Sequence, residues 1–216
     1  MAFKGWPAEA IEFFEGLEAD NSKVYWQDNK KVYEDSVKQP MEELLAELKP
    51  KYGAGKVFRP YRDVRFSADK SPYKTNIAAT CEAGGYISLS ADGLGAGSGY
   101  YMLAPDQLER FREAVADDKL GKALERKVET GRAAGYEVTA HEVLKSAPRG
   151  YAKDHPRIEL LRFKGMILWK QWPVAAWLGT AQAKKRILDL FTAAKPLNAW
   201  MDTNVGPSTQ PGWGER

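Results

Sequence analysis

The chain of 216 residues is short of the side chains that most metal and nucleophilic chemistry needs. It has one cysteine, Cys81, and two histidines, His141 and His155. A single cysteine excludes an intrachain disulfide and any zinc site built on several thiolates. The two histidines are far apart and set up no metal-ligand spacing, so no metal site is expected. Hydrophobic runs are short as well. None approaches the roughly 18 apolar residues of a membrane-spanning helix. The first twenty residues carry early acids and lack the apolar centre of a signal peptide. A cytoplasmic protein with no membrane partner is expected. Cofactor signatures are also missing. Gly93, Gly95, Gly97 and Gly99 alternate, whereas a dinucleotide loop reads G-x-G-x-x-G into a helix and a phosphate loop needs G-K-[ST]. No serine sits in a G-x-S-x-G turn. No cofactor is therefore legible.

What is present is an ordinary globular balance, 44% hydrophobic and 28% charged, with seven tryptophans and ten tyrosines. The length suits one domain with a sizeable core. A single α+β domain is expected over residues 1–206, with a disordered tail over 207–216. Net charge is only +3, but the basic residues are concentrated. Residues 56–76 hold six basic groups against two acids, and residues 144–165 hold six against two, so the rest of the chain is acidic. Two basic stretches on an acidic chain suggest a local positive patch where the fold unites them.

The chain opens with helical periodicity. Pro7 suits a first-turn position, and Ala10, Phe13, Phe14 and Leu17 share a face. A second helix is expected from about Lys23 to Lys38, and a third starting at Pro40 with Met41, Leu44, Leu45 and Leu48 spaced for burial. Alternation over Val57–Phe66 predicts a strand with Arg62 among the apolar side chains Phe58, Val64 and Phe66. Pro60 makes it an edge strand or a bulge. A charge in that setting needs a partner, either an acid of the protein or the anion of a ligand. Strands follow at Asn76–Glu82, Tyr86–Ser90 and Leu94–Met102. The alternating glycines leave one face of the last nearly bare, which predicts close approach by a packed helix or a ligand. Helices are expected at 105–117 and 120–134, a strand at 136–140, a helical turn at 158–161 and a strand at 163–170. A helix at 181–194 is expected to break at Pro196, with a last helix after it. The fold class is α+β, with a mainly antiparallel sheet flanked by N- and C-terminal helices.

The stretch FRPYRDVRFSADKSPYK at 58–74 and the stretch APRGYAKDHPRIELLRFKG at 147–165 carry a resemblance. Asn21 with Trp26, GGYISLSADGLGAGSGYYM at 84–102 and PLNAWMDTNVGPS at 196–208 extend it over almost the whole chain. In these pieces the chain resembles the family labelled domain of unknown function 2461, of bacterial and fungal proteins. Members usually have Trp-Phe where this chain has Trp26-Gln27. The resemblance implies a single α+β domain and no settled activity, so it transfers no catalytic residue.

The residues themselves offer a site for a phosphate or carboxylate, because the planar arginine fork holds two oxyanion oxygens at once. Arg62, Arg65, Lys70, Lys74, Arg149 and Lys164 are the candidate anion ligands. Asp63 lies among them, and Tyr61, Tyr73 and Tyr151 are candidates to orient or stack a ligand. The competing reading is a salt-bridge network in which Asp63, Asp69 and Asp154 pair these bases. His155 sits between Asp154 and Pro156 beside Arg149 and Arg157, where neighbouring cations disfavour its charged form. It is the candidate general base, against a structural role as a hydrogen-bonded loop histidine. The expected function is binding of a small phosphorylated or carboxylated ligand, with its processing left open. The alternative is a non-enzymatic module for nucleic acid or a protein partner. Whether the protein is an enzyme, and its oligomeric state, are open on the sequence.

Overall fold

Pro7 has no backbone N–H to leave unsatisfied, and the first helix, α1 (Ala8–Ala19), begins directly after it. The computed structural model describes residues 2–65 and 67–210. Helix α1 buries Ala10, Ile11, Phe13, Phe14 and Leu17, the face its periodicity marks. Ser22 caps α2 (Lys23–Val32) by accepting a hydrogen bond from the Tyr25 backbone N–H at 3.1 Å.

The second and third expected helices are one continuous helical path. After α2 a π-helical turn occupies Tyr33–Lys38 and runs straight into α3 (Gln39–Tyr52). Pro40 offers no N–H to the carbonyl four residues back. The wider turn absorbs this, with the Gln39 N–H reaching the Glu34 carbonyl five residues back. The indole of Trp6 donates to the Val37 carbonyl within this turn at 3.2 Å.

The expected strand at 57–66 does not form. Strand β1 is only Gly55–Val57. From Phe58 to Thr75 the described residues are irregular, with a single bridge between Tyr61 and Tyr73. Pro60 cannot extend a ladder, and the segment doubles back on itself instead. The Arg62 N–H donates to the Pro72 carbonyl at 2.9 Å and the Lys74 N–H to the Pro60 carbonyl at 2.8 Å. The expected position of Phe66 on a strand face lies outside the described residues.

Next come β2 (Asn76–Cys81), β3 (Gly85–Ser90) and β4 (Gly93–Tyr100). Helices α4 (Pro105–Ala116) and α5 (Asp118–Ala133) follow, then β5 (Glu137–Thr139), the short α6 (Ile158–Leu161) and β6 (Met166–Trp172). A 3-10 turn covers Ala176–Gly179, and α7 runs over Gln182–Asn204. Pro196 lies inside α7 and does not break it, contrary to the expected pair of helices. The fold is α+β with an antiparallel sheet in the strand order β1-β2-β3-β4-β6-β5, and helices lie at both ends of the chain. Strands β1 and β2 pair Lys56 with Thr80, β2 and β3 pair Ala79 with Ile87, and β5 and β6 pair Val138 with Leu168.

At Gly93 and Gly99 the close approach comes from the backbone of the neighbouring strand β6. A Cβ on Gly93 would lie 2.3 Å from the Trp172 carbonyl, and one on Gly99 would lie 2.1 Å from the Met166 carbonyl. Both glycines also have positive φ, 109° and 145°.

The chain divides into two compact units. One combines the chain up to Ala96 with Gln171–Asp189, and the other combines Gly97–Lys170 with the chain from Leu190 onward. In the first, Trp6, Phe14, Leu17, Met41, Leu44, Leu48, Ile77, Ile87 and Leu89 are among the largest fully buried side chains. In the second, Phe111, Val115, Leu124, Val128, Leu161, Met166, Leu168 and Trp200 belong to one buried apolar cluster. Residues 207–210, expected to begin a disordered tail, are tied to α4. Asp106 accepts from the Ser208 hydroxyl at 2.7 Å and from the Thr209 N–H at 2.8 Å, and Arg110 donates to the Pro207 carbonyl at 2.8 Å. The remainder of the expected tail, 211–216, lies outside the described residues.

Candidate functional sites

Segment 58–74 belongs to the first unit and segment 147–165 to the second. Each is built from its own neighbours. In the first, Asn21 acts as a strand edge made of one side chain. Its amide donates to the Tyr73 carbonyl at 3.1 Å and accepts from the Tyr73 N–H at 3.0 Å. The Tyr73 ring stacks on buried Trp26, 4.4 Å between centroids and 7° between planes. Tyr61, half-exposed, lies 5.5 Å from Tyr73 and 6.0 Å from Trp26.

Four cations of this segment, Arg62, Arg65, Lys70 and Lys74, have internal partners. Arg62 donates to Asp69, whose other oxygen accepts from the Ser71 hydroxyl at 2.6 Å and the Ser71 N–H at 2.9 Å. The bond from Arg62, then those from Ser71, hold the Asp69 carboxyl well below the usual carboxylate range. Arg65 grips Asp63 through two bonds of 2.9 and 2.7 Å and lowers that carboxyl as well. Lys70 donates to the Val64 carbonyl at 2.9 Å. The Lys74 ammonium lies 5.7 Å from the centre of the Phe58 ring. Arg62, Tyr73 and Lys74 line a pocket of about 350 Å³ together with Glu18, Asn21, Asp69 and Ser71. Asp63, Arg65 and Lys70 are not among its lining residues. Its two cations meet two carboxylates, so the lining is polar and electrically balanced.

In the second unit, Arg157 is the buried member of the basic stretch at 4% exposure. It donates to the carbonyls of Val115 at 2.6 Å and Ala116 at 2.9 Å, the open C-terminal end of α4. It also bonds Asp118 at 3.0 Å. Gly121 makes room for it, because a Cβ there would lie 2.4 Å from Arg157 Nε. His155 Nδ1 accepts a hydrogen bond from the Arg157 N–H at 3.0 Å, so the neutral ring carries its proton on Nε2. Lys164 is paired with Glu142 at 2.6 Å.

Arg149 and Tyr151 are placed differently. The Tyr151 N–H donates to the Pro148 carbonyl at 3.2 Å, closing a turn whose third residue, Gly150, has φ of 89°. This turn and one face of α4 line a pocket of about 500 Å³, with Leu108, Glu109, Arg112, Glu113, Arg149 and Tyr151 among its walls. Arg112 is half-buried, and burial lowers its pKa, with no carboxylate of the described residues within ion-pair distance to offset the lost hydration. Among the described residues its one hydrogen bond runs from Nε to the Leu161 carbonyl at 3.4 Å, the long end of the range. Burial, then the charge of Glu113, raises the Tyr151 phenol, so it keeps its proton at neutral pH. Arg112 escaped the sequence reading because one arginine on an amphipathic helix reads as part of a solvated face. Its signal is its place in the i, i+3, i+4 series from Leu108 and Glu109, beside Phe111.

Among the described residues no group of three or more His, Cys, Asp and Glu side chains is placed to hold a metal ion. Among the described residues no helix is long and apolar enough to cross a membrane. The architecture is that of an α+β protein on a six-stranded antiparallel sheet. Residues 9–200 match the family described as a conserved hypothetical protein (DUF2461), and the chain belongs to that family. No curated protein and no solved structure matches it.

Proposed function

We propose that this protein binds a small ligand through a phosphate or carboxylate group held by Arg112, Arg149 and Tyr151. The observation that carries the reading is Arg112: a half-buried guanidinium in a pocket wall, with no ion pair to a described acid. A desolvated cation in that state gains most from an anion that can take both prongs of its fork. Arg149, which has no partner among the described residues, supplies a second fork, and the protonated Tyr151 supplies a neutral donor. Glu109 and Glu113 in the same walls disfavour a highly charged polyanion. They favour a ligand with one or two negative charges, or one that also carries an amine. This reading keeps Arg149 and Tyr151 from the expected site and adds Arg112.

A thermal-shift series tests it, using phosphate, pyrophosphate, small mono- and dicarboxylates, amino acids and short oligonucleotides. At a concentration of about 100 times Kd, a ligand binding only the folded state raises the melting temperature by about 5 °C. The expected result is such a shift with a small anion, lost in Arg149→Ala and in Arg112→Gln. No shift with any small anion, or a shift that both variants retain, overturns the assignment. A response only to oligonucleotides, falling steeply with salt, would make the protein a nucleic-acid module instead.

A further inference from the structure

A second pocket of the first unit, of about 650 Å³, has a different make-up. Its walls come from the helical run α2–π turn–α3 and from β1 with the residues that leave it. Rings are prominent: Trp26 and Tyr33 from the helical side, Phe58 and Tyr61 from the other. Trp26 and Tyr33 are 5% and 4% exposed and lie 4.8 Å apart, so their contribution is a fixed apolar base. Tyr61 keeps 50% of its surface exposed, and Phe58 is half-buried. These two rings still have surface to offer.

Polar groups converge on the same space. Glu34 and Glu42 are both tied to Lys38, at 2.9 and 3.8 Å. Lys30, Lys56 and Arg59 line the pocket too, and none has an ion pair or hydrogen bond from its side chain among the described residues. Four basic side chains against two acids leave a surplus of two positive charges. The Tyr33 hydroxyl belongs to a side chain more than nine-tenths buried, yet it has no hydrogen-bond partner among the described residues. Its oxygen is not sealed from solvent, so in the pocket wall it is placed to donate to an incoming acceptor. Burial, then Glu34, Glu42 and Tyr61, pushes this phenol up to about 12, so it keeps its proton and remains a donor at neutral pH. An apolar base with a few convergent polar groups is the usual composition of a small-molecule site.

We infer that this pocket binds a ligand made of a planar ring and one acidic group. The ring lies against Phe58 and Tyr61. The phosphate or carboxylate meets Lys30, Lys56 and Arg59 and accepts a hydrogen bond from Tyr33. The site is in the other unit from the Arg112 pocket and does not depend on it.

Calorimetric titration of the full chain with 2-naphthyl phosphate and with 2-naphthoate tests this and separates the two acidic groups. Inorganic phosphate lacks the ring and 2-naphthol lacks the charge. At least one of the two naphthyl acids is expected to bind saturably, with both controls at least about tenfold weaker. Tyr33→Phe removes one oxygen and leaves the ring packing in place. It is expected to weaken binding about three- to tenfold with an unchanged melting temperature. Arg59→Ala combined with Lys56→Ala, both exposed, is expected to weaken it by about tenfold or more. Arg149→Ala is expected to leave it unchanged. Failure of both naphthyl acids to bind, full affinity in Tyr33→Phe, or loss of binding in Arg149→Ala would each overturn the inference.

Discussion

Arg157 shows how a basic residue in an irregular stretch becomes a structural pin. Its guanidinium closes the C-terminal carbonyls of α4 and reaches Asp118 at the start of α5, in a space that Gly121 keeps open. Arg157→Ala strands those carbonyls without donors and is expected to cost about 3 kcal/mol in urea unfolding. Gly121→Ala puts a methyl 2.3 Å from the Val115 carbonyl and is expected to cost about 1–3 kcal/mol in the same measurement. Asn21 does a comparable job for segment 58–74. Asn21→Ala removes both bonds to Tyr73, and a loss of about 1–2 kcal/mol is expected. Faster amide exchange at Tyr73 is the local readout, because its N–H then has no acceptor.

At the level of elements, the π turn sets the helical wall of the ring-lined pocket. It joins α2 to α3 and brings Trp26, Lys30, Tyr33, Lys38 and Leu45 to one pocket. Deleting Ser36 would restore an ordinary helical register and rotate everything after it by about 100° relative to α2. Helix content by circular dichroism is expected to survive. Melting temperature is expected to fall, because Leu44 and Leu48, both fully buried, leave their positions. Strand β4 makes the complementary point. Gly99→Ala combines a φ of 145° with a 2.1 Å approach to the Met166 carbonyl, and a loss of about 2 kcal/mol or more is expected in urea unfolding.

For the molecule as a whole, charge is organised by local pairing. Arg62, Arg65 and Lys164, prominent in the sequence as a basic surplus, are each matched to an acid close by in space. Acid should therefore act through the carboxylates. Asp106 holds Ser208 and Thr209 and bonds Arg110, and these bonds keep its pKa well below that of an ordinary carboxylate. A depressed folded-state value means that its stabilisation is fully present above the unfolded pKa of about 3.9. It is lost as pH falls through the lower folded value. Release of residues 207–210, followed by the amide signals of Thr209 and Gln210, is expected only below that window. In Asp106→Asn the release is expected already at neutral pH.

The sequence by itself determined the α+β class, the amphipathic helices and most strand positions. Those depend on periodicities of a few residues, and local spacing records them: the buried faces of α1 and α3 are the ones their apolar residues mark. It also singled out Arg149 and Tyr151, which line one pocket with Arg112. The tertiary structure alone decided the course of 58–74, because Asn21, which fastens Tyr73, lies 52 residues away in the chain. It alone decided that Pro40 and Pro196 sit within helical runs, and that β6 supplies the close neighbours of the β4 glycines. The same holds for the candidate sites. Arg112 and Tyr33 look like ordinary helical residues until distant segments close pockets around them. Arg112's partial burial without an ion pair among the described residues, and Tyr33's place in a pocket wall, arise only from contacts between segments far apart in the chain.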